Sequence, residues 1–238
     1  MVIDINRLFP GIFLIVTLLL CFILKFDYLI LISLFSFVLY DLYKSHFINS
    51  FYDSLIIILF ILILPILYFE DKLINILNIL LILCVFLNLF FHKFYFKKAF
   101  LISSLIFMLN FFSIFNINRE LLYFVIFIAF FNDTIAYITG KYFKGPLIIP
   151  NVSPNKTWSG TISSFFLSLF VIYQFNINFL VAIILSLSLF FGDIFFSYIK
   201  RKSHLKDFSS LLRGHGGMLD RLDSMFFFII IFNLYNFL

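Results

Sequence analysis

Charge is what this sequence lacks most. Asp, Glu, Lys and Arg make up 12% of its 238 residues, while 63% are hydrophobic. An ordinary soluble domain carries about twice that charge, and a chain of this size cannot hide so much apolar surface from water. A soluble enzyme and a disordered tail are therefore excluded. Cysteine is nearly absent. Cys21 and Cys84 lie in apolar runs with no His or second Cys at ligand spacing, which excludes a disulfide scaffold and a thiolate metal site. They read as packing residues. Glycine is missing from the first half, where Gly11 is the single example before position 140. Unusual backbone and close approach to a ligand usually need glycine. Residues 1–120 thus read as a scaffold, and 121–238 as the region that carries chemistry.

What is present is lipid-soluble. Mean hydropathy is +1.13, and Phe alone supplies 40 residues. Nine apolar runs, at about 8–24, 29–40, 54–69, 73–91, 99–115, 121–139, 160–174, 178–197 and 224–238, predict helices. The fold class expected is an all-α, polytopic integral membrane bundle with about nine transmembrane helices. Open sheets cannot face lipid, and the runs are continuous rather than alternating, which excludes a barrel. The run 29–40 is the shortest. The run 8–24 lacks a small-x-small cleavage site and reads as a retained span.

The few charges are sorted. With nine spans, all but Lys25, Lys72 and Arg119 of the 17 Lys and Arg fall on one side. Short basic loops stay cytoplasmic, so loops 140–159 and 198–223 are expected to face the cytoplasm. Deleting the span 29–40 leaves that assignment unchanged.

The densest polar stretch is Ser197–Asp223. Asp220 and Asp223 are spaced i, i+3, so a helix there would put both carboxylates on one face. Two convergent carboxylates make a hard-oxygen site suited to Mg²⁺. The Gly214–Gly217 segment before them would present backbone N–H groups to an anion. Lys200, Arg201 and Lys206 add positive charge for phosphates. A basic loop with helix-capping Asp residues is the plainer explanation, but the Gly-His-Gly-Gly turn argues against it. Asp193, after Gly192, lies near the cytoplasmic end of its helix and Asp133 several residues inside its own, where a carboxylate needs a partner or a wet cavity. Asp133 reads either as a further ligand or as half of an ion pair. Ser153, Lys156 and Thr157 are candidate contacts to phosphate or nucleoside, and Trp158 suits an interfacial anchor. His215 is a phosphate contact or a turn hydrogen-bonder; sequence does not choose.

This segment resembles the C-terminal signature of the phosphatidate cytidylyltransferases (CDP-diacylglycerol synthases). The matching residues are Ser197, Lys200, Arg201, Lys206, Asp207, His215, Gly216, Gly217, Asp220, Arg221 and Asp223. Upstream, Asp133-Thr134, Ala136-Tyr137 and Gly140 resemble one family element. Ser153-Pro154, Lys156-Thr157 and Gly160 resemble a second, and Gly192-Asp193 matches the Gly-Asp before the signature. Ile135, Ser159, Phe196 and Arg213 depart from the pattern. The resemblance covers about 121–238. It implies that a cytidylyl group passes from CTP to phosphatidate, giving CDP-diacylglycerol and pyrophosphate in phospholipid biosynthesis. It also implies Mg²⁺, with room for a second cation, bound by Asp193, Asp220, Asp223 and Asp133. Lys200, Arg201, Lys206 and Arg221 would hold phosphates. Ser153, Lys156, Thr157, Ser197, Asp207, His215, Gly216 and Gly217 would line the substrates. The expected setting is a bacterial inner membrane, with a homodimer by family analogy and no nucleic-acid partner. The rivals are a CTP-dependent polyprenol or phytol kinase, a CDP-archaeol synthase, a transporter or channel with Asp133 and Asp193 as its ion site, and an inactive paralogue.

Overall fold

The computed structural model describes residues 16–17, 19–69, 71–90, 94–211 and 216–237. Most of the expected first span, with Arg7 and Gly11, lies outside the described residues, as do Arg213, Gly214 and His215.

The later apolar runs are all helical. They fall on α1 (Asp27–Lys44), α2 (Phe51–Phe69), α3 (Asp71–Phe90), α4 (Phe94–Ile117), α5 (Arg119–Phe143), α6 (Trp158–Tyr173), α7 (Phe179–Lys202) and α9 (Met225–Phe237), with the one-turn α8 (Leu219–Leu222) before the last. Among the described residues, three stretches are long and apolar enough to cross a membrane: Phe96–Ile117 within α4, α5 and α7. That is fewer than the nine crossings expected. The other apolar stretches, Phe51–Leu62, Asn75–Phe86, Trp158–Tyr173 and Met225–Asn236, are shorter. As whole helices α2 and α3 have 19 and 20 residues, roughly 28–30 Å at 1.5 Å per residue and close to the ~30 Å of a bilayer core. Their outer faces still suit lipid. Leu180, Ile184, Leu187 and Phe191 form an exposed stripe at helical spacing along α7.

Two boundaries differ from the sequence expectation. α7 runs on to Lys202, so Lys200 and Arg201 stand on a helix and not in a loop. The segment 140–159 contains a hairpin, β1 (Leu147–Ile149) and β2 (Ser153–Thr157), antiparallel with Leu147 opposite Thr157 and Ile149 opposite Ser153. Pro and Lys in Ser153–Thr157 gave no strand signal.

The chain forms two compact units. One comprises Met1–Arg119 and Leu205–Arg221; the other comprises Glu120–His204 and Leu222–Leu238. In the first, α4 is the central helix, with Phe100, Leu101, Phe107, Met108, Phe111 and Ile114 buried. The segment 205–221 completes this core. Phe208 stacks on Phe100 with ring centroids 5.6 Å apart and also meets Phe47. Some of the buried polar groups here meet one another, as a low-dielectric interior favours. Buried Asn110 donates to Asn78 Oδ1 at 2.9 Å. Asp53 caps α2 by accepting from the amides of Asn49 and Ser50 and from the Ser50 hydroxyl, and it is ion-paired with Lys98. Asp53→Ala would leave these donors and a lysine without their acceptor. Thermal unfolding in detergent should show a loss of about 2–4 kcal/mol, and Lys98→Met added to it should recover part of that loss.

In the second unit, α7 packs against α6 and α9. The ring of Phe226 at the start of α9 lies 5.5 Å from Phe195 and 5.2 Å from Phe196 of α7. Thr157 caps α6.

Candidate active site

The second unit gathers five of the expected residues. Asp193 follows Gly192 on α7, and Lys156 reaches it from β2 to form an ion pair with Oδ2. The same ammonium lies 5.6 Å from the centroid of the Phe190 ring, a further favourable placement for a cation. Ser197, one turn along α7, places its hydroxyl 3.4 Å from Asp193 Oδ1. Asp223 lies at the turn before α9, 5% exposed. Lys200 Nζ stands 3.8 Å from its Oδ2, and its Oδ1 accepts from the Ser224 amide at 2.9 Å.

One glycine brings these groups together. A Cβ built on Gly192 would lie 2.5 Å from the Asp223 carbonyl oxygen and 2.9 Å from that of Ser224. Backbone therefore meets backbone where α7 passes the turn into α9, which no larger residue allows. The consequence is electrostatic. Burial first, and then the charge of Asp193, push the Asp223 carboxyl well above the usual carboxylate range. Lys200 opposes this, Asp133 adds to it, and Lys156 opposes it. The site holds more negative charge than its lysines cancel.

Other expected residues have local duties. Arg201 Nε donates to the Val152 carbonyl at 3.2 Å, tying α7 to the hairpin turn. The Thr157 hydroxyl accepts from the Gly160 amide and hydrogen-bonds with Ser159, so it is a helix cap. Ser153 is half-buried at the start of β2.

In the first unit, Asp220 Oδ2 accepts from the amides of Gly217 at 2.8 Å and Phe208 at 3.0 Å. The Gly217 amide expected to meet an anion is thus met by the protein's own carboxylate. Gly216 has φ +76°, and a Cβ there would lie 2.7 Å from Asp220 Oδ2. The helix expected to carry both Asp220 and Asp223 ends at Leu222, so the i, i+3 spacing does not put them on one helical face. Lys206 and Asp207 are exposed, and Arg221 is half-buried with its amide donating to Met218 O. Sequence reasoning missed Asp41, a buried carboxylate on α1 that accepts from Ser209 and Leu219. Its one signal was an acidic residue near the end of a mostly apolar helix.

Among the described residues no three His, Cys, Asp or Glu side chains form a ready metal cluster. A site with one or two carboxylates suits an ion that keeps waters and takes its remaining ligands from substrate phosphates, the habit of Mg²⁺.

The profile of the cytidylyltransferase family matches residues 5–238. A protein of Rickettsia felis named phosphatidate cytidylyltransferase is 36% identical over 134 residues, covering 50% of this chain and 59% of that one. Proteins of the same name from Rickettsia conorii and Staphylococcus aureus are 38% and 39% identical, over 138 and 117 residues. Those matches cover 50% and 45% of this chain, and 58% and 45% of theirs. The chain thus spans roughly half the length of the relatives it matches.

Proposed function

The chain belongs to the cytidylyltransferase family, and from that membership we propose that it transfers a cytidylyl group from CTP to phosphatidate within a membrane. An oxygen of the lipid phosphate bonds to the α-phosphorus of CTP. The bond from that phosphorus to the bridging oxygen breaks, and pyrophosphate leaves with the electron pair. CDP-diacylglycerol remains in the bilayer. The reading rests most on the Lys156–Asp193 and Lys200–Asp223 pairs, four motif residues drawn together in one unit. The names of the relatives favour phosphatidate over a polyprenol, phytol or archaeol acceptor.

The chemistry asks for little covalent help from the protein. Two polyanions must be held in line, and the charge on the leaving group must be stabilised. In this proposal Lys156 and Lys200 exchange their carboxylate partners for substrate phosphates, and Arg201, Lys206 and Arg221, signature residues by sequence, hold phosphates as well. Asp193 and Asp223, with Asp133 nearby in charge, would hold Mg²⁺, which supplies electrostatic stabilisation to phosphate oxygens. The Asp223 carboxyl is raised first by burial and then by Asp193, and a bound cation would offset the second of these. Asp220 has a double duty: it holds the glycine turn through Oδ2 and adds negative charge three residues before Asp223. His215, Gly216, Gly217, Ser197, Asp207, Ser153 and Thr157 line the substrates. The wider assignment is nine spans in a bacterial inner membrane, loops 140–159 and 198–223 in the cytoplasm, and a homodimer.

The test is purified protein with CTP, Mg²⁺ and phosphatidate, followed by pyrophosphate release and by chromatography of the lipid. A CDP-lipid is expected. Pyrophosphate without a cytidylylated lipid, or neither product, overturns the proposal. Excess EDTA should abolish turnover, and added Mg²⁺ should restore it. Turnover that persists in EDTA would remove the metal from the scheme.

A further inference from the structure

We infer that Asp41 of α1, outside the signature in sequence, is a positioning residue for the cytidylyl transfer because it ties together the two ends of the signature loop. The inference rests on the proposed function. Asp41 is fully buried. Its Oδ1 accepts from the Ser209 hydroxyl at 2.6 Å, and its Oδ2 accepts from the Leu219 amide at 2.8 Å. These two donors bracket the glycine turn. A Cβ on Gly217 would press into the same carboxylate. Asp220 makes the parallel connection between the amides of Phe208 and Gly217. Two carboxylates, one from each side, therefore fix the loop that carries Gly216 and Gly217 and leads into Asp220 and Arg221.

The residue type decides the argument. Burying a carboxylate against neutral donors costs more than burying an amide or a hydroxyl. An Asp in an apolar scaffold helix needs a reason. What it offers is two acceptor oxygens, able to take Ser209 and Leu219 at once. Asparagine keeps the shape and can still serve both, its Oδ1 accepting from the Leu219 amide and its N–H donating to the Ser209 hydroxyl, which turns to accept. Leucine keeps much of the volume but accepts from neither, so the amide of Leu219, one residue before Asp220, loses its acceptor.

The experiment uses full-length protein in detergent or nanodiscs with CTP, Mg²⁺ and phosphatidate. Asp41→Leu, which removes both acceptors, is expected to lower kcat at least about tenfold with KM for CTP within about threefold of wild type, and Asp41→Asn is expected to retain kcat within about threefold. Ser209→Ala, which removes one donor and leaves the amide bond, should cause a smaller fall than Asp41→Leu. Ser209→Ala added to Asp41→Leu should slow the enzyme no further, because both changes open the same tie. A second readout needs no activity. With Cys21 and Cys84 replaced by Ala, a cysteine introduced by Ser210→Cys should react with a maleimide several-fold faster in the Asp41→Leu background. A kcat of Asp41→Leu within twofold of wild type overturns the inference. So does a kcat loss that matches lost folded protein while labelling is unchanged. Failure of the wild type to make any CDP-lipid overturns the functional reading instead, and the labelling comparison still reports whether Asp41 holds the loop.

Discussion

Asparagine at position 223 is expected to reduce formation of CDP-lipid by roughly 10²–10³-fold while leaving the protein folded. The two halves of this expectation have one cause. Asp223 is buried beside Asp193, so its negative charge is held at a disadvantage in the folded state. A carboxyl raised in this way contributes most to stability below the unfolded value of about 3.9, and the contribution is lost as the pH rises through the folded value. Asparagine has no charge to suppress. In the absence of Mg²⁺ its melting temperature should therefore match wild type at low pH and exceed it increasingly as the pH rises. Activity should move the other way, because the suppressed charge is the one proposed to hold the cation. A stable, inactive Asp223→Asn protein supports the assignment. Turnover within threefold of wild type removes Asp223 from it, and an equal fall in melting temperature at every pH would show a merely structural residue.

Gly192→Ala is the second large effect. The added methyl would sit 2.5 Å from the Asp223 carbonyl and 2.9 Å from that of Ser224, against backbone on both counts. No side chain can swing aside, so the turn into α9 must move away from α7. Overpacking of this kind costs about 1–3 kcal/mol, and a displacement near 1 Å at a reacting centre lowers the rate about a hundredfold. Lys200 stays on α7 while its partner Asp223 moves, so the 3.8 Å pair should open. Kinetics and thermal unfolding of the same preparation check this. A Gly192→Ala enzyme with wild-type kcat would show that the backbone contact does not set the carboxylate separation.

The helices were legible because lipid selects continuous apolar runs, and each run after the first maps onto one. The pairing of Lys156 with Asp193 and of Lys200 with Asp223 followed motif residues that sequence could single out, though not their partners. Other features were hidden for definite reasons. The bonds from Asp41 to Ser209 and Leu219 span 168 and 178 residues, and no local pattern announces a contact at that distance. The hairpin at 147–157 is built from residues with little strand preference and is held by pairing rather than propensity. The i, i+3 spacing of Asp220 and Asp223 suggested a shared helical face, but the helix stops at Leu222. Thr157, singled out by position as a substrate contact, also caps α6 by hydrogen bonding, a role that Thr fills before many helices.

The stacking of Phe208 on Phe100 has a consequence for biosynthesis. The core of the first unit is closed by a segment that is translated only after all of α5, the hairpin, α6 and α7. At about 5–20 residues per second, the 85 residues between Arg119 and Leu205 take on the order of ten seconds to synthesise. Throughout that interval the faces of Phe47 and Phe100 that await Phe208, and the buried carboxylate of Asp41, have no partner from the late segment. The nascent helices must wait in the membrane as an unfinished assembly, and the ribosome delivers the piece that completes their packing together with Asp220 and Arg221 of the signature.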